Sequence, residues 1–231
     1  MNAVMNDVKQ TNLDEAVKLY AKGHFNRAFH AFETLAEAGD SIAQAWLAAL
    51  YANGEGVDAN LHRALEWYEK SARQGNTQAQ SNLGAMLMSS QETLRNEAEG
   101  VRWITIAAEN GDPFAQANLA GLFAKGRGVQ QDDAAAAQWY RRAAEQGHYP
   151  SQARLGFSYA TGRGVERDRV QAFVWLSLAA QHGVGNALNA LENVLGDMSV
   201  EEKRAGASLF DQWRSRTSAS ISPARLMPIA G

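Results

Sequence analysis

The chain has 231 residues, of which 45% are hydrophobic and 20% are charged, and its formal net charge is −3 at neutral pH. This composition excludes wholesale disorder, and the slightly negative charge gives no reason to expect a nucleic-acid partner. The absence of cysteine excludes disulfides and thiolate metal sites, and no apolar run is long enough to insert into a membrane. The first residues show no secretory signal, so we expect a cytoplasmic protein, with a periplasmic location as the alternative.

The N-terminal part is predicted to contain an extension over residues 1–12, followed by a helical hairpin over residues 13–40. The second helix of this hairpin carries Ala28, which lies 36 residues before Ala64, the corresponding alanine of the next unit. Its interhelix turn is five residues shorter than the turn of that next unit. We therefore expect the hairpin to be a first unit that shares the periodicity of the following units and has a different loop.

From residue 41 onward the chain is organised by a 36-residue repeat, which predicts units over residues 41–76, 77–112, 113–148 and 149–184. Alanines, leucines, glycines and tryptophans keep this step in one register. The glycine set is Gly39, Gly75, Gly111, Gly147 and Gly183, and the tryptophan set is Trp67, Trp103, Trp139 and Trp175. We expect these tryptophans to lie in the core.

Repeat 113–148 shows why each unit is predicted to form two antiparallel helices. Pro113 suits the first turn of a helix, Gly126 interrupts that helix, and Asp132 or Asp133 can cap the next one. Small residues let neighbouring helices approach closely, and they are found at Ala48, Gly84, Ala120 and Gly156. One hairpin cannot bury its apolar surface alone, so the hairpins must stack on one another.

Repeat 77–112 departs from the pattern in its interhelix turn. Ser90 and Glu92 stand where Gly54 and Gly56 stand in the preceding repeat. Without the glycines the loop must take another path, so we expect a local irregularity.

The C-terminal part is predicted to consist of capping helices over residues 185–216 and a flexible tail over residues 217–231. Ser199 and Glu202 have the spacing of a capping box, which opens a helix that extends to about Arg216. This helix is expected to cover the last apolar face of the stack, because terminal units of repeat proteins need a polar outer side.

Three segments of the repeat, AQAWLAALYANGEGV, AQANLAGLFAKGRGV and SQARLGFSYATGRGV, are each followed by a helix with a tryptophan and paired small residues. Over residues 41–184 the chain resembles the Sel1-like repeat family, a relative of the tetratricopeptide repeat that is found in bacteria. The resemblance implies an all-α fold, a right-handed α-solenoid of stacked antiparallel helix hairpins. It makes residues 13–216 a single domain and likens hairpin 13–40 to a tetratricopeptide hairpin.

No enzyme motif is present. The five histidines lack the H-x-x-x-H spacing of zinc proteases, and neither G-x-S-x-G nor S-x-x-K occurs. The G-x-G pairs lack a third glycine and follow a predicted helix rather than a strand, so they are not phosphate loops. We therefore predict that the protein is not an enzyme and has no catalytic residue, metal site or cofactor.

The resemblance implies that a partner binds on the concave face, which the first helices of the repeats line. Asparagine amides can bond to a peptide backbone, cations can bind a carboxylate, and aromatic side chains can anchor apolar groups. On this basis the candidate partner-binding residues are Trp46, Asn53, Asn82, Asn118, Lys125, Arg154 and Phe157. Ser89 shares the helix-end position of Asn53 and Lys125.

Plainer interpretations stand beside these assignments. Asn82 and Asn118 are equally well explained as solvated polar residues. Trp46 is better explained by packing against the first hairpin. The arginines of the loop after Gly162 fit a solvated loop better than an anion site.

The sequence therefore favours a non-catalytic scaffold or adaptor that binds a protein or an extended peptide on its concave face. The resemblance implies bacterial signalling, regulation or envelope assembly as its context. The alternatives are a structural subunit of a larger complex and, less well supported, a hydrolase acting on envelope material. The chain is expected to be a monomer or a subunit of a hetero-complex.

Overall fold

The structure, a computed structural model, describes the backbone of residues 2–88 and 96–218 and the side chains of residues 12–88 and 96–216. These residues form twelve α-helices and no strand, which confirms the all-α fold class. The helices are α1 (Asn2–Ala21), α2 (Phe25–Glu37), α3 (Ser41–Asn53), α4 (Leu61–Arg73), α5 (Thr77–Leu87), α6 (Glu97–Glu109), α7 (Pro113–Lys125), α8 (Asp133–Glu145), α9 (Tyr149–Thr161), α10 (Arg169–Gln181), α11 (Ala187–Asp197) and α12 (Val200–Ser218).

The chain divides into two compact units, and the division falls between Ala107 and Ala108. In the first unit α1 packs on α2, and α3 packs on α4. In the second unit α7 packs on α8, and α9 packs on α10. Each predicted repeat is thus a pair of neighbouring helices, and most of the predicted N-terminal extension belongs to α1.

The helices begin where side chains can accept the unpaired backbone N–H groups of a first turn. Asp40 and Asp112 accept hydrogen bonds from the backbone nitrogens of Ala43 and Ala115, at 2.8 and 2.6 Å. Asp132 accepts from two backbone nitrogens and is the cap of α8, one of the two residues predicted for this role. Such caps stabilise a helix by about 1 kcal/mol each.

Small residues are required where two helices cross most closely. A Cβ atom at Gly84 would lie 2.5 Å from Cγ1 of Ile104 and 2.9 Å from the carbonyl oxygen of Gly100. At Gly156 it would lie 2.7 Å from Cγ of Leu176. Ala48 and Ala120 are fully buried. The predicted role of these positions in setting helix spacing is confirmed.

Four buried glutamines form a further ladder in the same 36-residue register. Each donates from Nε2 to the carbonyl oxygen of the alanine eight residues earlier, over 3.1 to 3.2 Å. The members of this glutamine ladder are Gln44, Gln80, Gln116 and Gln152. Because the acceptors lie in the last turn of the preceding helix, the ladder satisfies carbonyl groups that a helix end leaves unpaired.

Two members of the glutamine ladder accept a further hydrogen bond at Oε1, and the last member, Gln152, has no such bond within the described part of the chain. Gln44 Oε1 accepts from Gln74 Nε2 at 2.7 Å, and Gln116 Oε1 accepts from Gln146 Nε2 at 2.8 Å. In each case the donor lies 30 residues after the acceptor. His182 occupies this place for Gln152, whose Oε1 is buried without a hydrogen-bond partner among the described residues.

The four repeat tryptophans have two kinds of environment. Trp103 and Trp175 are buried, as predicted, and the ring of Trp213 in α12 lies 4.8 Å from that of Trp175. Trp67 and Trp139 are only half-buried, and Trp67 packs against the core of the first unit without being enclosed by it. A cation three residues further along the same helix lies over each of these rings, Lys70 at 3.7 Å and Arg142 at 4.5 Å from the ring centroid.

The last helix caps the second unit. The predicted capping box is present, because the backbone nitrogen of Ser199 donates to Glu202 Oε2 at 2.7 Å and that of Glu202 donates to Ser199 Oγ at 3.1 Å. Helix α12 then packs on α10, where Gly206 lies directly against the ring of Phe173.

Ser89, Ser90 and Glu92, and residues 219–231 of the predicted tail, lie outside the described residues. Within the described parts of the chain, no helix combines the length and the apolar character needed to cross a membrane.

Candidate functional site

In the first unit the predicted binding residues differ in their exposure to solvent. Trp46 is 3% exposed and stacks on Phe32, with 5.1 Å between ring centroids. Asn82 is also 3% exposed, and its Nδ2 donates to the hydroxyl of Tyr68 at 3.1 Å. Asn53 is exposed at the end of α3. Of these three residues only Asn53 presents its side chain to solvent.

In the second unit the structure brings two predicted residues together and separates two others from them. Asn118 and Lys125 are exposed on α7. Arg154 is exposed and Phe157 half-buried on α9, where both line the same cleft. Phe157 also lines a second cleft on the other side of α9. Helix α9 is therefore the centre of the candidate site.

The two clefts each have a volume of about 230 Å³. The first, here named the α8–α9 cleft, is lined by Ala124, Asp133, Ala136, Tyr140, Arg154, Phe157, Ser158, Thr161 and Arg163. The second, here named the α9–α11 cleft, is lined by Phe157, Ala160, Thr161, Arg167, Arg169, Ala190, Asn193, Val194 and Asp197. Phe157 and Thr161 form the ridge between them.

The end of α9 determines the wall of the α8–α9 cleft. Gly162 has φ = 76°, a left-handed conformation that ends the helix at Thr161. The chain then turns back, so that Arg163 Nε reaches Asp133 Oδ1 at 2.9 Å. Gly164 lies against the carbonyl oxygen of Asp133, where a Cβ atom would have no room. Arg163 is thus held on the wall by an ion pair and by its loop.

Arg154 gives the α8–α9 cleft its charge. Within the described part of the chain its guanidinium has neither a hydrogen-bond nor an ion-pair partner. Burial raises the pKa of Tyr140, while the nearby charges of Arg154 and Arg163 oppose this rise. Because Asp133 neutralises Arg163, the cleft carries about one uncompensated positive charge.

The α9–α11 cleft has better compensated cations. Arg167 donates from Nε to the carbonyl oxygen of Ala160 at 3.0 Å, and its Nη2 lies 3.7 Å from Asp197 Oδ2. Arg169 pairs with Glu202 at 3.1 Å. Each arginine of this cleft therefore has a partner from the protein itself.

At the corresponding place in the first unit, three residues that the structure describes, Leu61, Asn82 and Met86, are buried or half-buried. Two repeats, or 72 residues, separate equivalent positions of the two units. Asp133, Arg154 and Ser158 therefore correspond to Leu61, Asn82 and Met86. Asn82 bonds to Tyr68, the counterpart of Tyr140, and Met86 is only 7% exposed. The sequence interpretation did not select Asp133, Tyr140, Ser158 or Arg163 as site residues. Comparing equivalent positions of the repeats would have shown that Asp133, Arg154 and Ser158 differ from their counterparts in the first unit.

No cluster of three or more histidine, aspartate or glutamate side chains that could hold a metal ion is found among the described residues. The arrangement at α9 offers a cation, hydroxyl groups and an aromatic edge in an open cleft. Such a surface can bind a polar group and an apolar group side by side.

Comparison with known proteins identifies the repeats. The family model of the Sel1 repeat matches residues 41–76, 77–112, 113–148 and 150–184. These four segments agree with the predicted repeats to within one residue. No functionally curated protein matches the chain with significant similarity.

Among solved structures, a protective antigen of uropathogenic Escherichia coli is 35% identical, with a TM-score of 0.75 over 83% of this chain and 41% of its own. The chain thus spans less than half of that antigen. A Sel1 repeat protein of Oxalobacter formigenes is 30% identical, with a TM-score of 0.73, over 91% of this chain and 83% of its own. An immunity protein of Pseudomonas aeruginosa, 20% identical, has a TM-score of 0.52 over 94% and 90%. At that identity the likeness concerns the fold alone.

Proposed function

Because this chain belongs to the Sel1 repeat family, we propose that it is a non-catalytic binding module that holds a partner protein at the surface centred on Phe157. Sel1 repeat proteins generally mediate protein–protein interaction and generally act as scaffolds. The proposal adds the place of binding, helix α9 of the second unit. Its context is bacterial signalling, regulation or envelope assembly.

The observation that carries the proposal is the pair of open clefts on either side of one aromatic side chain. Phe157 lines both clefts and is half-buried, so its ring is held in place while part of it stays accessible. Aromatic residues held in this way are typical of the few positions that dominate the free energy of binding at an interface. Arg154 and Arg163 supply polar groups to one of the two clefts that the ring lines.

The proposed surface keeps part of the predicted set. Arg154 and Phe157 form its centre, while Asn118 and Lys125 line neither cleft and stay predicted contacts on α7. Trp46 and Asn82 are left out because each is only 3% exposed. Asn53 stays a predicted contact of the first unit.

The test is quantitative affinity capture from a lysate of the source cells with wild-type protein and a Phe157→Ala variant. We expect the retained partner to decrease at least tenfold with the variant, because loss of a central aromatic anchor costs about 2 kcal/mol or more of binding free energy. Circular dichroism checks that the variant is folded.

Phe114→Ala is the matched control. Phe114 is also a partly exposed phenylalanine of the second unit, 46% exposed on α7, and it lines neither cleft. Its removal should leave the captured amount unchanged. Equal capture by wild type and the Phe157→Ala variant would contradict the proposed surface.

A further inference from the structure

At three of its positions the α8–α9 cleft differs from the described residues of its counterpart in the first unit, and all three differences are towards polar or charged side chains. Leu61, which packs against the core of the first unit, is replaced by Asp133, and buried Met86 is replaced by Ser158. Buried Asn82 is replaced by exposed Arg154. Two replacements remove apolar volume, and all three add polar groups around a tyrosine that both units keep.

The tyrosine has lost the partner that it has in the first unit. Tyr68 accepts a hydrogen bond from Asn82, whereas the hydroxyl of Tyr140 has no hydrogen-bond partner among the described residues. A half-buried hydroxyl without a partner is unfavourable unless solvent or a ligand satisfies it. Gly121, on the facing helix, leaves room at this hydroxyl, since a Cβ there would still be 3.8 Å away.

The charged side chains of the α8–α9 cleft favour a ligand group with a single negative charge. Asp133 is occupied by Arg163 at 2.9 Å, so Arg154 is left as the uncompensated charge. A guanidinium binds a carboxylate with two parallel hydrogen bonds, which is its strongest common interaction. One uncompensated arginine, with a carboxylate in the same lining and a net charge of −3 for the chain, does not suit a polyphosphate or a nucleic-acid backbone.

We propose that the α8–α9 cleft binds the carboxylate of a glutamate or aspartate side chain in an extended segment of the partner, with Arg154 as its ion-pair partner. An apolar residue next to that acidic residue packs on Phe157. This inference rests on the proposed function, and it names the chemistry of the partner segment. Tyr140 and Ser158 supply hydroxyl groups to the same carboxylate.

The probe is a blocked peptide, acetyl-Gly-Glu-Leu-Gly-amide, titrated into the full-length protein with ¹⁵N-labelled arginine. We expect a saturable shift of the Arg154 Nε–Hε signal in the NMR spectrum, at peptide concentrations up to about 10 mM. The glutamine peptide, acetyl-Gly-Gln-Leu-Gly-amide, should leave this signal in place. Equal shifts with both peptides, or no saturable shift with the glutamate peptide, would overturn the inference.

A third peptide distinguishes the two sources of a carboxylate. Acetyl-Gly-Gln-Leu-Gly with an unblocked C-terminus carries its only carboxylate on the main chain. We expect it to bind at least threefold more weakly than the glutamate peptide. Tighter binding of this peptide would reject a side-chain carboxylate as the ligand.

Arg154→Gln should weaken binding of the glutamate peptide about tenfold, followed in uniformly ¹⁵N-labelled protein through the backbone amide signals of α9. The matched control is Arg204→Gln, which removes the same charge from an exposed position of α12, outside both clefts. It should bind as wild type does. Undiminished binding by the Arg154→Gln variant contradicts the inference. If the peptide fails while capture still depends on Phe157, the inference is wrong and the proposed function stands.

Discussion

His182 stands at a repeat position that carries a glutamine in two of the other three repeats and an asparagine in the third. Gln74 and Gln146 occupy the equivalent positions, and both donate to a glutamine of the ladder. His182 instead stacks on Tyr149, with 3.5 Å between ring centroids, and Gln152 Oε1 is left buried without a partner among the described residues. A buried acceptor without a hydrogen bond costs about 1–3 kcal/mol, more than an exposed ring contact returns.

His182→Gln is therefore expected to stabilise the protein by about 1 kcal/mol, because it supplies the missing donor. Urea denaturation of the wild type and the variant measures the difference. His182→Ala is the control, since it removes the stacking without adding a donor, and it should destabilise. A glutamine variant no more stable than the alanine variant would show that the ladder geometry does not extend to this position.

His148 makes the stability of the protein depend on pH. It stands at the start of α9, its Nδ1 lies 2.7 Å from the hydroxyl of buried Ser151, and burial lowers its pKa below 6.5. In the unfolded chain the same group titrates near 6.5, so the unfolded state takes up the proton first as the pH falls. Its contribution to stability is complete above that pH and is lost below it.

We expect the wild type to lose more unfolding free energy than a His148→Gln variant between about pH 7.5 and about pH 5. The substitution keeps a polar side chain at the helix start but removes the group that titrates in this range. Urea denaturation at both pH values gives the two differences. Equal losses would mean that His148 is not the group responsible.

For single residues, the sequence predicts the place in the repeat better than it predicts the exposure and contacts of the side chain. Trp46 and Asn82 each stand just before a leucine that recurs every 36 residues, and each contacts the second helix of the preceding hairpin, Asn82 through its hydrogen bond to Tyr68. Their exposure therefore depends on packing between neighbouring hairpins, which a single helix face does not show. Trp46 is buried for the same reason, because Phe32 of the preceding hairpin stacks on it.

At the scale of elements, the loop from α9 to α10 is fixed by its glycines. Gly164 has φ = 71°, and a Cβ there would overlap the carbonyl group of Asp133. Gly183 has a similar φ of 68°, but no atom lies within 4 Å of a Cβ at that position. The two glycines thus separate the cost of a left-handed backbone from the cost of a steric clash.

Gly183→Ala should destabilise the protein by about 1–2 kcal/mol, the cost of the left-handed conformation alone. Gly164→Ala should cost about 2 kcal/mol more, because α8 and the loop must move apart. Thermal and urea unfolding of both variants test this difference. Equal effects would mean that the loop can move away from Asp133 without cost.

Helix boundaries could be predicted because their causes are local in sequence. Asp132, Pro113 and the Ser199–Glu202 box each act within one turn of the helix that they begin. The α8–α9 cleft could not be predicted in the same way, since it depends on the volume left by side chains from several helices. In the sequence, this cleft is indicated by residues that differ between equivalent positions of the repeats, and not by residues that the repeats share.

At the scale of the whole molecule, the two units share the 36-residue repeat pattern but differ in their surfaces. Most buried positions carry small or aliphatic residues that recur from repeat to repeat, and these specify the helix packing. Polar residues stand at a few repeat positions around the cleft of the second unit, between helices that begin at equivalent positions in both units. Function in such a chain can therefore change while the framework stays the same.

The glutamine ladder has a consequence for how this chain can grow. Each rung joins residues only eight apart, such as Gln44 and Ala36, so both partners lie within one short stretch at the junction of two repeats. A genetic duplication or deletion of 36 residues carries every rung with it intact, wherever the segment begins. The junction is thus copied together with the unit, and new members of different length can arise without a new interface having to evolve.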